Sequence, residues 1–233
     1  MPRTILAVAA AAALLTTPAL AETRTVDLPA FTAVDISSGI DAKVTVGPQS
    51  VTAEARNAAD LDELKLTVEN GVLKAYTDWS LFDIFALSID REIRVTITAP
   101  ALTGVSASAG ADVDAEGISG DSLQFSSSAG ADLTLTGVTG KAVSLDASAG
   151  ADIKADGTCE TGTIEASAGA DVAAAELRCA DLTVDGSAGA DIHAFASSSI
   201  KADASAGASI TIAGKPATVT QNASAGGEIE IAE

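Results

Sequence analysis

The sequence predicts an all-β protein, a β-solenoid that winds about 20 residues into each coil. The first observation is a motif, Ser-Ala-Gly-Ala-Asp, which recurs in the second half of the 233-residue chain and decays in its last two copies. The second is an alternation of apolar and polar residues on both sides of each motif, which is typical of half-buried strands. Helical repeats are excluded because they need about 33 residues or more. The central glycines are Gly110, Gly130, Gly150, Gly169, Gly189, Gly207 and Gly226.

The residues around each glycine predict which side chains face the core. The third residue after the glycine is always Val, Ile or Leu, as in Val113 and Ile153, and should point inward. The alanines directly before and after the glycine, such as Ala109 and Ala111, are expected inward too, whereas the Ser, Gly and Asp of the motif should face outward. A further inward row, on another side of the coil, is predicted for Ile118, Val138, Leu177 and Phe195.

The N-terminal part, residues 22–105, is β-rich but irregular. It lacks the motif, apart from a degenerate Ser38-Gly-Ile-Asp41, yet it still alternates as strands do. Asn70-Gly71 between two alternating segments indicates a two-residue hairpin, and residues 57–64 are compatible with a helical turn. We expect one continuous solenoid domain over 22–233, in which 22–105 forms irregular coils or a cap and 106–233 holds the repeats.

Residues 1–21 are predicted to be a signal peptide that is not part of the fold. Arg3 supplies a short positive start, residues 5–15 an apolar stretch, and Ala19-Leu20-Ala21 a small-residue cleavage site. A buried N-terminal helix is the alternative. Since a bilayer needs about 20 apolar residues to span, we expect no membrane span. The protein should be exported, either to the periplasm or to the cell surface.

The chain resembles the bacterial head GIN domain family, whose members are labelled auto-transporter adhesins. The resemblance rests on Val-Asp-Leu-Pro-Ala-Phe (26–31), Ser-Ser-Gly-Ile-Asp (37–41), the Asn-Gly hairpin and the stacked Ser-Ala-Gly-Ala-Asp units. It covers essentially all of residues 26–231. It implies a right-handed parallel β-helix that is exported and non-enzymatic. No catalytic residues carry over, because the family defines none.

Acidic residues dominate the charge, with 32 Asp and Glu against 13 Lys and Arg and a formal net charge of −19. Such a chain repels phosphate backbones and anionic lipids, so nucleic acid is excluded as a partner. The aspartates of the motif share one phase and should stack about 4.8 Å apart, where neighbours repel by about 0.9 kcal/mol in water. This predicted column contains Asp112, Asp132, Asp152, Asp171 and Asp191.

A column of carboxylates can hold cations, and Ca²⁺ is the candidate because it prefers oxygen ligands. The alternative is a solvated ladder that keeps the protein soluble, since no loop supplies the roughly six to eight ligands of a tight site. The paired carboxylates also resemble the pair of a retaining glycosidase, although repetition alone explains the pairing. We expect no other cofactor.

Two further groups of residues stand out. Cys159 and Cys179 each lie ten residues before a glycine of the motif, so adjacent coils bring them within disulfide reach. In an oxidising compartment they should form a bridge, with two buried thiols as the alternative. Trp79, Phe82 and Phe85 form either a patch for a partner or a hydrophobic plug over the first coil.

Together these observations predict an exported β-solenoid of the bacterial envelope that acts as a non-catalytic structural or adhesion module. Its partner would be an envelope protein or a glycan. Weak Ca²⁺ or glycan binding on the aspartates is the alternative function, and a polysaccharide-cleaving enzyme is the third.

Overall fold

The computed structural model describes residues 22–78 and 92–232, which form one continuous sheet of 17 strands with one short helix. The sheet is coiled, so that each strand of a coil pairs with the equivalent strand of the next coil. In chain order the elements are β1 (Glu22–Thr25), β2 (Ala33–Ile36), β3 (Asp41–Val46), β4 (Ser50–Ala55), α1 (Ala58–Glu63), β5 (Leu64–Glu69), β6 (Val72–Thr77), β7 (Ile93–Ala99), β8 (Gly104–Ser108), β9 (Asp112–Glu116), β10 (Ser119–Ser128), β11 (Asp132–Ser148), β12 (Asp152–Ala166), β13 (Asp171–Gly186), β14 (Asp191–Ala204), β15 (Ser209–Ala213), β16 (Thr218–Ala223) and β17 (Glu228–Ile231).

Two stacks of parallel strands form the long faces of the solenoid. The first face contains β6, β2, β8 and β10, then the C-terminal halves of β11 to β14, then β16. The second face contains β7, β3 and β9, then the N-terminal halves of β11 to β14, then β15 and β17. Asp132 pairs with Asp152, and Asp152 with Asp171. The predicted β-solenoid with about 20 residues per coil is therefore confirmed.

The repeated motif forms the tight turn that joins the first face to the second. In residues 128–131, Ala131 N donates to Ser128 O at 3.3 Å, and Ala129 and Gly130 have φ values of 53° and 68°. A positive φ at both central residues is typical of a type I′ turn. Gly130 N also donates to Ala149 O of the next coil at 3.2 Å, so the turns are bonded to one another along the solenoid.

This turn corrects the expectation for the alanine that precedes each glycine. Ala109 and Ala129 are exposed, because their left-handed backbone directs Cβ away from the core. The alanine after the glycine is buried as predicted, as Ala111 shows. Ala107 and Ala147, three residues before their glycines, fill the inside of the bend.

The interior consists of apolar columns that run along the solenoid. The predicted column after the glycine is confirmed, since every member from Val113 to Ile210 is at most 2% exposed and only Ile229, in the last coil, is half-buried. In the other predicted row, Ile118, Val138 and Leu177 are buried.

Phe195 was expected in that row, and the structure corrects this. Its coil is only 18 residues long, and Ala196 pairs with Cys179 and points inward instead. Phe195 is half-exposed and lies beneath the Arg178 guanidinium, whose Cζ is 5.1 Å from the ring centre. The shortened coil thus moves an aromatic ring from the core to the surface.

The N-terminal part combines irregular coils with an antiparallel rim. Strands β2 and β3 lie between β6–β7 and β8–β9, so early strands are inside the stack. β1 pairs antiparallel with β4, β4 with β7, and β5 with β6. The hairpin at Asn70-Gly71 is confirmed, with φ values of 52° and 78°. The predicted helical turn is α1, whose Leu61 packs into the core.

A disulfide joins Cys159 to Cys179, as predicted, with 4.4 Å between their Cα atoms. Both cysteines are buried among the side chains of the core. The equivalent residues of the two preceding coils are Gly120 and Gly140. The bridge therefore fills a space that glycine leaves to the side chains of Leu123 and Val143 in the two preceding coils.

Two predictions lie outside the described residues: the signal peptide at 1–21, and the aromatic group of Trp79, Phe82 and Phe85. Among residues 22–78 and 92–232, no helix combines the length and the apolar character needed to cross a membrane.

Candidate functional site

The aspartates of the motif stack in register at the start of the second face. Each follows the tight turn directly and begins a strand, so strand pairing fixes its place above the aspartate of the preceding coil. The structure brings together all five predicted residues and adds Asp41, which pairs with Asp112. We call this set the aspartate column; its members in order along the solenoid are Asp41, Asp112, Asp132, Asp152, Asp171 and Asp191.

Asp41 belongs to this column because its own turn copies the motif. Ser38 and Gly39 have φ values of 66° and 67°, and Gly39 N donates to Ala109 O at 3.0 Å. The degenerate sequence at residues 37–41 was therefore a signal for one more coil. Backbone conformation, rather than the identity of the residue before the glycine, defines the repeat.

Each end of the aspartate column meets a different side chain. At the N-terminal end, Arg94 pairs with Asp41 in the sheet, and its Nη2 lies 3.6 Å from Asp41 Oδ2. At the C-terminal end, Asp191 Oδ1 lies 3.5 Å from His193 Nε2, and Ser209 and then Glu228 continue the column. The four aspartates between these ends have no salt bridge among the described residues.

Loss of water and neighbouring negative charge both raise the pKa values of two aspartates in the column. Partial loss of surrounding water raises the pKa of Asp112 above its ordinary value, and the negative charge of Asp132 raises it further. The same two effects, desolvation first and then the charges of Asp132 and Asp171, raise the pKa of Asp152. Positive charge placed against this column would relieve the repulsion.

The column does not by itself build a metal centre. Within the described ranges, no three side chains of His, Cys, Asp or Glu converge on a point where a metal ion could sit. The carboxylates follow one another in a line, so an ion would meet two of them at a time. The predicted weak binding of Ca²⁺ stays a prediction.

A second set of acidic residues escaped the analysis of the sequence. It lies on the first face, four residues before the glycines, on the other side of the turns from the aspartate column. These side chains line a groove of about 410 Å³ together with the serines of three turns, Ser167, Ser187 and Ser205. The members of this second acidic column are Asp146, Glu165, Asp185 and Asp203. Counting residues from each glycine to every acidic position would have found it.

The second acidic column also meets polar partners at its C-terminal end. Lys201 Nζ lies 3.0 Å from Asp203 Oδ2, and Asn222 Nδ2 donates to Asp203 Oδ1 at 3.2 Å. These contacts lower the pKa of Asp203, with the hydrogen bond from Lys201 as the largest cause. The remaining three carboxylates have no salt bridge among the described residues.

A smaller apolar pocket lies at the N-terminal end of the solenoid. It measures about 230 Å³ and is lined by Arg24, Val26, Ala53, Leu61, Leu64 and Leu66. Small-molecule sites usually measure about 300 to 1,000 Å³, so this pocket is below that range. The acidic columns are the more extensive feature.

Comparisons with known proteins agree with this architecture. The family model described as "Putative auto-transporter adhesin, head GIN domain" matches residues 30–216. A search of curated proteins gave no significant match.

Several solved structures share the fold. A "putative adhesin" of Bacteroides fragilis superposes with a TM-score of 0.80 at 19% identity, covering 91% of this chain and 97% of its own. A "putative lipid binding protein" of Parabacteroides distasonis gives 0.73 at 12% identity, with the same coverage of both chains. A "putative adhesin" of Parabacteroides merdae gives 0.67 at 14% identity, covering 91% and 96%. At these identities the likeness establishes the fold.

Proposed function

Because this chain belongs to the head GIN domain family, described as an auto-transporter adhesin, we propose that it is an exported, non-catalytic binding module of the bacterial envelope. Its binding surface is the edge formed by the stacked turns and the two acidic columns beside them. The partner is an envelope protein or a glycan that carries positive charge.

The observation that carries this proposal is the lack of salt bridges to most carboxylates of the two columns among the described residues. Asp112, Asp132, Asp152 and Asp171 on one side, and Asp146, Glu165 and Asp185 on the other, have no salt bridge within residues 22–78 and 92–232. Their register in the sheet keeps them a coil height apart, where they repel one another. A cationic partner would gain binding free energy from every coil that it covers, because its charges would relieve this repulsion.

The shape of the surface favours a large or extended partner. The groove beside the second acidic column is open to solvent and runs across four coils, from Asp146 to Asp203. The acidic groups are spread along the solenoid instead of converging on one point. Such an arrangement suits a polymer, whose successive cationic groups meet successive coils.

The same repetition argues against catalysis. A glycosidase needs two carboxylates with different roles, one protonated and one ionised, which different environments create. Successive aspartates of the column occupy one register position that is repeated from coil to coil. A row of carboxylates at one repeated position supports binding over hydrolysis.

The experiment compares variants for binding to isolated envelope fractions and to an array of cationic, neutral and anionic glycans. Asp132→Asn, Asp152→Asn and Asp171→Asn are combined in one protein, which should lose most of the binding. The matched control combines Asp121→Asn, Glu160→Gln and Asp181→Asn, which change the net charge equally at positions outside both acidic columns and should bind as the parent does. Equal losses in both proteins would contradict the proposed surface.

A weak Ca²⁺ site on the aspartate column is the second candidate function. The stacking of carboxylates one coil apart favours it: desolvation first, and then the charges of neighbouring aspartates, raise the pKa values of Asp112 and Asp152, and a divalent cation would neutralise those charges. Millimolar Ca²⁺ should then raise the melting temperature, and less so in the Asp132, Asp152 and Asp171 variant. A melting curve that is the same with Ca²⁺ and with EDTA would remove this candidate.

A further inference from the structure

Within residues 22–78 and 92–232, the coil that contains β16 and β17 has an unpaired edge on both faces. Among the described residues, β16 pairs only with β14, and β17 only with β15. The outer edges of these two strands keep backbone donors and acceptors without partners in the sheet. Unpaired edges of this kind accept an added strand.

The same end also exposes the apolar interior. Val219 continues a column in which Ile200 is 2% exposed, yet Val219 itself is 45% exposed. Ile229 and Ile231 continue the columns of Ile210 and Ile212 and are half-buried where those are fully buried. A strand laid on this end would cover the columns as each internal coil covers its neighbour.

The negative charge of β17 determines which side chains an added strand must carry. On β17 the outward residues are Glu228 and Glu230, alternating with the inward Ile229 and Ile231. A second copy of this end would bring the same glutamates together, and like charges on paired strands are destabilising. A strand that alternates apolar residues with Lys or Arg would pair with both the charges and the exposed isoleucines.

The opposite end of the solenoid is built differently. There the strands turn antiparallel, and α1 places Leu61 over the core with 1% exposure. Arg24 Nη2 on β1 lies 2.8 Å from Asp62 Oδ1, which ties the edge strand to that helix. The C-terminal end has no such helix among the described residues.

We propose that the C-terminal end, formed by β16 and β17, accepts one extended segment of a partner protein in which apolar residues alternate with Lys or Arg. The segment adds a strand to β17, places its apolar side chains over Ile229 and Ile231, and pairs its cations with Glu228 and Glu230. Glu228 continues the register of the aspartate column, but the site is the free edge of β17, and the tests below separate strand addition from general attraction to the acidic columns.

The first test uses labelled synthetic peptides and fluorescence anisotropy with the whole protein. One peptide alternates Val and Lys, a second has the same composition in two blocks, and a third alternates Val and Glu. The alternating Lys peptide should bind, with the other two at least about tenfold weaker. Equal binding of the block peptide would show general charge attraction and overturn the strand model, as would no binding.

The second test locates the peptide with two charge-reversed proteins. Glu228→Lys with Glu230→Lys should weaken binding of the Lys peptide by about tenfold or more. Asp114→Lys with Glu116→Lys makes the same change of charge on β9 of the same face and should leave binding as it is. Equal weakening in both proteins would overturn the proposal.

Light scattering of the protein alone completes the design. A monomer would support the proposal, because the glutamates of β17 should repel those of a second copy. A stable dimer that the Glu228 and Glu230 changes abolish, and that the Lys peptide cannot dissociate, would make a second copy the occupant and overturn the proposal. Thermal melting of each variant confirms that it is folded before binding is compared.

Discussion

The sulfur of Cys179 lies against Gly162: a Cβ added to Gly162 would lie 3.0 Å from Cys179 Sγ, and 2.6 Å from Leu182 Cδ1. The neighbouring coil has the opposite arrangement, with Gly140 at the cysteine position and Val143 at the position of Gly162. There a Cβ on Gly140 would lie 2.7 Å from Val143 Cγ2. In these two coils, bulk at one of the two positions is matched by glycine at the other, whereas the next coil carries bulk at both, Cys179 and Leu182.

This relationship predicts that Gly162→Ala lowers stability in the disulfide-bonded protein. Overpacking of a filled core typically costs about 1–3 kcal/mol. In a protein that carries Cys159→Ala and Cys179→Ala, the same change should cost less, because the contacts with the two sulfurs are gone and only the contact with the end of the flexible Leu182 side chain remains. Urea unfolding of the four proteins measures the coupling between the positions. Equal effects of Gly162→Ala in both backgrounds would show that the sulfurs do not fill this space.

The left-handed conformation of the exposed alanine before each glycine of the motif predicts a stabilising substitution. Ala149 has a φ of 53°, a left-handed conformation that costs a residue with a Cβ about 1–2 kcal/mol. Ala149→Gly removes that cost but adds freedom to the unfolded chain, so we expect a net gain of about 0.5 kcal/mol. Ala142→Gly is the control, since Ala142 is an exposed residue of β11 with ordinary strand geometry, and should lose about 0.5–1 kcal/mol. Thermal melting that gives both variants the same sign would contradict this.

The aspartate column predicts a pH dependence of stability. The pKa of Asp112 in the folded protein is raised above 3.8, mainly through loss of water and then through Asp132. The folded state therefore binds the proton more tightly than the unfolded chain, so the contribution of this carboxyl is fully present below pH 3.8 and is lost as pH rises through the folded pKa.

Asp112→Asn should accordingly stabilise the protein at pH 7, and its advantage should vanish below pH 3.8. The measurement is the free energy of unfolding of parent and variant across this range. The combination with Asp152→Asn should enlarge the difference at pH 7, because the pKa of Asp152 is raised by the same causes. A difference that does not change with pH would contradict a raised pKa of Asp112 in the folded protein.

The regular coils could be predicted because the same residue types recur at the same positions of each repeat. The apolar column through Val113 and Ile153 follows from alternation, and the pairing of Cys159 with Cys179 follows from equal phase. The exposed alanines of the turns could not be read in this way. Parity assumes an extended backbone, and two left-handed residues in succession break it.

The remaining differences arise where the repeat is irregular. Phe195 left its predicted row because a coil of 18 residues shifts the register by one position at Ala196. The insertion of β2 and β3 between later strands joins segments far apart in the sequence, and no local pattern encodes that order. The second acidic column is encoded in the sequence, because each of its members lies four residues before a central glycine. It lies outside the Ser-Ala-Gly-Ala-Asp motif, so the motif alone does not predict it.

The most direct test of a charge-driven binding edge is the affinity for an envelope partner as a function of salt concentration. Salt screens exposed charges, with a Debye length of about 10 Å at 0.1 M, so binding through the columns should weaken steeply as salt rises. We expect the Asp132→Asn, Asp152→Asn and Asp171→Asn protein to bind weakly with a shallow dependence on salt, and the Asp121, Glu160 and Asp181 control to keep the steep dependence of the parent. A parent protein whose affinity does not change with salt would contradict binding through the acidic columns.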